Sequence, residues 1–426
     1  MAYKTGFAKN YKDLLLALKG FIESTQKAYN VVPNPANTGT GYVSTERAVS
    51  AAPAETWTLT ATSATNFTVS GSTSGAQAAA TVGTPYDNSI VAFEIVAGGV
   101  AFVSGDIFTF SVTTGLGTEH WFITELKSGL TKGRWNANWD GLGGYEMIAC
   151  GPGSSGDDEI FIGIQTFYDS PSSYYDWRLN GYTGYSVAAW GALPGAIPND
   201  SNCYYPNVYL TNGFIEYWFI ANGRRIIVVA NVDGVYEACY LGFLLPYGLP
   251  NQLPYPLVVG GCAPSNLTLS DKRYSTTHLA HRCFVDPAGG STGQGSLCLL
   301  NSNWLNFRNW TSESNAVAGN NVWPYIHSDY NYSAVNPNSK YVLLQRNIDG
   351  SFNVIPLVVV SSTPTENFFG ELQNCFAIPA IGESDPPPGE PLLLSKDIIT
   401  IAGKSYLVVK NVFRTVTWGF WAVLLE

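Results

Sequence analysis

Short runs in which apolar and polar residues take turns, each closed off by glycine, recur along this chain and limit what it can become. Trp57-Thr58-Leu59-Thr60-Ala61 alternates, and so do Asn66-Phe67-Thr68-Val69-Ser70, Val91-Ala92-Phe93-Glu94-Ile95 and Ile107-Phe108-Thr109-Phe110-Ser111-Val112. A period of two puts every second side chain on one face of a strand, and glycine supplies the backbone freedom for the turn that follows. Gly71, Gly75, Gly83, Gly98-Gly99 and Gly105 fall between these runs. The stretch 31–118, rich in Thr, Ser, Ala, Gly and Val, therefore predicts a small β-sandwich, inserted or appended.

A larger antiparallel β body is expected over 119–380. Its strongest signal is Ile215 to Ile220, the turn pair Asn222-Gly223, and Arg225 to Ala230; a further strand from Tyr236 to Leu245 follows Asp233-Gly234. Asn-Gly and Asp-Gly suit two-residue hairpin turns, so the three strands predict a meander. Residues 381–392 hold Pro386-Pro387-Pro388-Gly389 and three acids, and read as an extended linker. The remainder of 381–426 predicts a closing hairpin packed on the main domain, through Ile398 to Ile401, Tyr406 to Val409 and an aromatic strand with Trp418 and Trp421.

One helix is expected, over 11–29, within an N-terminal assembly segment 1–30. Leu14, Leu15, Leu18, Phe21 and Ile22 follow three-and-four spacing. Asn10 can cap its start, Asp13 suits the first turn, and Pro33 and Pro35 lie beyond its end. The polar face is sparse, so Leu14, Leu18, Phe21 and Ile22 are interface candidates, facing either another chain or their own domain. The fold class is thus mainly β: an N-terminal amphipathic helix, a small β-sandwich insert and a larger antiparallel β-sandwich body.

Aromatic residues make up 14% of the chain and charged residues 13%, with a formal net charge of −10. Large aromatic side chains with few charges suit surfaces covered by neighbouring copies. The negative charge argues against binding a nucleic-acid backbone, which needs a basic face. Apolar runs such as Ile226 to Ala230 are of strand length, short of a membrane span. The start, Met1-Ala2-Tyr3-Lys4, lacks the apolar core of an export signal. Seven cysteines (Cys150, Cys203, Cys239, Cys262, Cys283, Cys298 and Cys375) contain no CxxC pair and read as buried thiols, with one disulfide left open.

Motifs that carry chemistry are thin. His278 and His281 have a metal-like spacing, with Asp271 and Cys283 nearby, but lie in a Ser/Thr-rich stretch that reads as a loop. Asp157-Asp158-Glu159 are adjacent acids after a Gly-Ser turn, whereas a glycosidase needs two separated carboxylates across one sugar. Gly141-Leu142-Gly143-Gly144 lacks the strand-to-helix setting of a dinucleotide loop. No nucleophile elbow, phosphate loop or HExxH is present. Neither a catalytic site, a metal site nor a cofactor is expected. Trp135, Trp139, Trp177 and Trp310, with Tyr174, Tyr175, Trp304 and Trp323, are candidates for stacking on sugar rings or for packing in a core or subunit interface.

The chain resembles a family of tailed-bacteriophage virion structural proteins. The resembling residues are the helix start Tyr11-Lys12-Asp13-Leu14-Leu15, the segment Glu159 to Thr166, Tyr174-Tyr175-Asp176-Trp177, the hairpin Tyr217 to Arg225, Tyr240 to Tyr247 and Pro254 to Gly261. Gly75 to Asn88 also looks like a β insert of phage tail and baseplate proteins. The resemblance implies a non-enzymatic subunit of the virion tail, tail tip or baseplate, made in the host cytoplasm. Its expected partners are other virion proteins and further copies of itself, as a trimer or hexamer. A tail-fibre module that binds a host surface glycan, and a collar or head-decoration protein, are the alternatives.

Overall fold

The computed structural model describes residues 2–23, 27–44, 55–88, 91–113, 121–130, 143–153, 160–169, 174–198, 205–248, 252–261, 263–264, 295–298, 303–308, 320–323, 354–361, 367–378, 394–410 and 420–425. The elements run β1 (Ala2–Ala8), α1 (Tyr11–Glu23), β2 (Lys27–Pro33), β3 (Tyr42–Ser44), β4 (Glu55–Ala61), β5 (Asn66–Gly71), β6 (Gly75–Thr81), β7 (Pro85–Asp87), β8 (Ala92–Val96) and β9 (Ile107–Thr113). Then follow β10 (Phe122–Leu130), β11 (Gly144–Gly151), β12 (Ile160–Asp169), β13 (Tyr174–Tyr182), β14 (Pro206–Leu210), β15 (Ile215–Asn222), β16 (Arg225–Val232), β17 (Val235–Phe243), β18 (Leu245–Pro246) and β19 (Leu257–Gly260). The chain continues with β20 (Ala263–Pro264), β21 (Gly295–Cys298), β22 (Trp304–Arg308), β23 (Asn320–Trp323), β24 (Ile355–Ser361), β25 (Asn367–Ala377), β26 (Ile398–Ile401), β27 (Lys404–Lys410) and β28 (Phe420–Leu424). The protein is mainly β, with α1 as its one long helix among the described residues.

The chain divides into two units, Ala17–Ile123 and Met1–Leu16 with Thr124–Glu426. The first holds a five-stranded sheet, β2-β9-β4-β5-β6, and a three-stranded one, β3-β8-β7. Both sheets feed one apolar cluster, in which Trp57, Leu59, Phe67 and Phe110 meet Val43, Tyr86, Phe93 and Ile95. The period-two runs read from the sequence are β4, β5, β8 and β9, and β4 buries Trp57, Leu59 and Ala61 as its alternation requires.

The second unit holds a six-stranded sheet, β10-β11-β12-β13-β14-β20, and a long sheet, β1-β15-β16-β17-β19-β21-β22-β23-β24-β25-β28-β27-β26, with β18 paired to β25. The expected meander is present as β15, β16 and β17. Its second turn has Asp233 and Gly234 at φ of 53° and 85°, the left-handed pair that a tight hairpin needs. One cluster draws on Trp218, Ile220, Ile227, Val229 and Tyr240 from the meander and on Leu357, Val359, Leu407, Val409, Trp421 and Val423 from the far end of the same sheet. The closing hairpin expected near the C-terminus is β26 to β28. β22 and β23 run parallel, and the all-antiparallel body expected from the sequence is corrected there.

The six-stranded sheet packs one face on the long one. Along β13 that face carries Trp177, Leu179 and Gly181. A Cβ at Gly181 would lie 2.8 Å from Trp304 and Val259 and 2.9 Å from Leu257. Glycine there lets β13 approach β19 and β22, and 381–392, the expected linker, lies outside the described residues.

The helix is shorter than 11–29. It begins as expected, with Asn10 Oδ1 accepting the Lys12 and Asp13 N–H groups at 2.9 Å each. It ends at Glu23, and Lys27–Pro33 is a strand paired with β9. Tyr29, Val31 and Val32 favour extended backbone, and Tyr29 and Val32 pair with β9 on either side of a bulge, where another helical turn would leave no backbone paired with that sheet.

Candidate functional site

The helix residues singled out from the sequence, Leu14, Leu18, Phe21 and Ile22, are buried within the chain. They are therefore core positions of the single chain and offer no outward apolar face. Trp177 is also buried, its indole N–H donating to the Tyr11 carbonyl at 2.8 Å, so it presents no ring to a sugar. Tyr175 stacks on Tyr168 at 4.7 Å and leans on Tyr11 at 5.1 Å. Trp304 packs over Gly181 and donates to the Gly195 carbonyl at 2.8 Å. Tyr174 and Trp323 lie in β13 and β23. Trp135, Trp139 and Trp310 lie outside the described residues, as do His278, His281, Asp271, Cys283, Asp157-Asp158-Glu159 and Gly141-Leu142. Among the described residues no three metal-ligating side chains come together.

A polar row that the sequence reading missed crosses the other face of the six-stranded sheet. Register sets Glu146 opposite Gln165, Gln165 opposite Arg178, and Arg178 opposite Asn207. All four are buried, as are Asp176 and Asn180 on the same face. Gln165 Nε2 donates to Glu146 Oε1 at 3.1 Å, and the Arg178 guanidinium lies 3.7 Å over the Phe167 ring. Asn180 Oδ1 accepts the Ile197 N–H at 3.0 Å, drawing the segment around the 3-10 turn Trp190–Ala192 over this face. A buried polar group is tolerated where it is hydrogen-bonded, as Glu146 is by Gln165, and a cation over a ring adds to this. The row is sealed from solvent, so its chemistry is that of a polar core. The signal for it was Glu146 and Gln165 standing in largely apolar strands, and Asp176, Arg178 and Asn180 alternating along β13.

Several exposed apolar side chains stand at the ends of the long sheet. β1 is the edge strand beside β15, with Tyr3 opposite Ile220, Thr5 opposite Trp218 and Phe7 opposite Glu216. Trp218 and Ile220 are core, yet Tyr3 is 49% exposed and Phe7 74% on the same face. Phe214, directly before β15, is 75% exposed. At the other end of the sheet, Leu394 before β26 and Ile398 at its start are exposed. Lys396 forms an ion pair with Glu216, which also accepts Asn231 Nδ2 at 3.0 Å. That pair brings the segment before β26 to β15, so the two sheet ends meet on one flank. Burial, with the nearby Glu216 charge, pushes the Tyr236 hydroxyl there up to about 12 despite a hydrogen bond with Ser395. The alternation of Tyr3, Thr5 and Phe7 was the available sequence signal for β1.

No protein-family model matches this sequence, and no curated protein matches it. Among solved structures, the crystal structure of Xanthomonas campestris FlgL aligns at 20% identity over 23% of this chain, with a TM-score of 0.17. The chain spans about a third of that structure, 34% of its length. A likeness at that score supports neither a shared fold nor a shared role.

Proposed function

We propose that this chain is a non-enzymatic structural subunit of a tailed-phage particle, in the tail, tail tip or baseplate, that works by assembling in many copies. The observation that carries this reading is the flank where the edge strand β1 leaves Tyr3 and Phe7 exposed on the face whose inner rows are core. An open strand edge with aromatic side chains and one charge is a template for pairing unless a neighbour covers it. The sequence resemblance to virion structural proteins supplies the kind of particle. A charge-poor chain whose polar row is sealed off fits a role in binding geometry better than one in turnover.

The reading takes both units as β-sandwiches. Support comes from the clusters: in each unit an apolar cluster is fed by strands from two sheets, or from two ends of one sheet. Electron microscopy of purified virions labelled with an antibody to residues 31–118 tests the assignment. Label at the distal tail is the expected result, and label at the neck or head moves the subunit to a collar or decoration role. Absence of the chain from purified particles overturns the reading.

A further inference from the structure

We propose that β1 pairs with β1 of a second copy of this chain, antiparallel and centred on Thr5, so that the two long sheets join across a two-fold axis. This rests on the assembly reading and names its contact. The strand Ala2-Tyr3-Lys4-Thr5-Gly6-Phe7-Ala8 is a near-palindrome: stepping outward from Thr5, it meets an aromatic residue two places away and alanine three places away on either side. Its inner edge is taken by β15, and no described strand pairs with its outer edge.

The register follows from symmetry and charge. Residues directly opposite in a two-fold antiparallel pair point to the same face, so the axis must pass through a residue position. Centred on Thr5, all seven residues pair: Ala2 meets Ala8, Tyr3 meets Phe7, Lys4 meets Gly6 and Thr5 meets Thr5. The two exposed aromatics then form two cross-strand pairs on the face already apolar in β15. Centred on Lys4, two ammonium groups would oppose each other, and an in-register parallel pair would set them side by side. Centred on Gly6, Phe7 would meet Thr5 and Tyr3 would meet Lys9 outside the strand. Thr5 alone keeps the one charge apart and matches the aromatics.

One added strand per copy covers less than the roughly 1,000 Å² expected of a durable interface. The contact is therefore weak and reversible in solution and is reinforced where neighbours hold the copies together. A two-fold contact suits a hexamer built from paired trimers and has no place in a lone trimer.

Sedimentation velocity on the full chain, up to its solubility limit, tests the pairing. The wild type is expected to show a concentration-dependent monomer–dimer equilibrium. Tyr3→Glu and Phe7→Lys should each weaken it about tenfold or more, because each deletes one member of both cross-strand aromatic pairs. The double variant sets opposite charges across the axis twice and should recover most of the loss. Both positions are exposed, and Phe7→Lys faces Glu216 within its own chain, so unchanged circular dichroism and melting are expected for all three. A wild type that stays monomeric to the limit overturns the pairing. So does a double variant no better than the singles, or association indifferent to all three variants. None of these outcomes touches the assembly reading, which falls only if purified particles lack the chain.

Discussion

The indole N–H of Trp177 donates to the carbonyl of Tyr11 at 2.8 Å, across 166 residues of sequence. The bond ties the first turn of α1 to the centre of β13, and the Tyr11 ring leans on Tyr175 beside it. Trp177→Phe keeps most of the buried ring and deletes the donor. A net loss of about 1 kcal/mol is expected, the usual worth of one neutral hydrogen bond, against roughly 3–5 kcal/mol for Trp177→Ala. Urea unfolding at neutral pH measures both. Equal losses would mean that the bond, and not the ring, carries the contact.

Two buried carboxylates make the unit Ala17–Ile123 sensitive to acid. Burial alone would raise the Asp106 carboxyl, but the Thr38, Gly39 and Val103 N–H groups donate to it at 2.8, 2.9 and 3.1 Å and hold it below its ordinary value. Glu55 is held low in the same way, against burial, by the Ser74 hydroxyl and the Ser74 and Thr73 N–H groups. A carboxyl lowered by folding adds stability that is fully present above its unfolded value, roughly pH 4, and is lost as pH falls through its folded value. Asp106→Asn should cost roughly 2–4 kcal/mol at pH 7, since charge-assisted bonds to three N–H groups are lost. That cost should shrink as pH is lowered through the acid range, where the wild-type carboxyl is itself protonated. A cost unchanged between pH 7 and pH 2.5 would show that the charge is not what those N–H groups hold.

Much of this architecture was legible because local chemistry and tertiary packing agree. Asn10 caps where a helix start needs an acceptor, Asp233-Gly234 turns where both residues must adopt positive φ, and Trp57, Leu59 and Ala61 point inward on a strict alternation. The misses have a common cause: a second influence that local pattern does not encode. The helix stops at Glu23 because β9 offers Lys27–Pro33 a ladder, and that partner lies some eighty residues further along. Glu146, Gln165, Arg178 and Asn207 come into one row only once four strands have their register. Trp177 looked like a candidate platform because an aromatic side chain in a sequence carries no mark of which face it takes; β13 turns it inward. β1 went unread because its alternation pays off only against β15, more than two hundred residues away.

Three thiols should be silent in the folded protein. Cys150, Cys239 and Cys375 are buried, and burial pushes Cys239 up to about 12 and Cys375 higher still, the latter despite the Arg225 charge. The thiolate is the reacting species, so both low access and low ionisation slow alkylation. Iodoacetamide at pH 8, read by peptide mass spectrometry, should leave these three unmodified in the native chain and label them fully in denaturant. Native labelling of Cys239 at the rate of an exposed thiol would show that the meander opens under native conditions.

Gly181 sets how closely β13 lies to β19 and β22, and Gly181→Ala separates two opposing effects. Alanine in place of glycine restricts the unfolded chain and stabilises by about 0.4–1 kcal/mol where the site is open. This site is not open: the added methyl would fall within 3 Å of Trp304, Val259 and Leu257 at once. Overpacking of that kind costs about 1–3 kcal/mol, so the clash should win and the variant should be less stable by roughly 1–2 kcal/mol net. The cause can be isolated with Val259→Ala, which removes one of the three opposing groups and alone costs a cavity. In a double-mutant cycle the two changes should compensate, leaving the pair more stable than the sum of the single losses by about 0.5–1 kcal/mol. Strict additivity would mean that β13 has moved away from β19 to make room, and that the approach seen at Gly181 is set by other contacts along the strand.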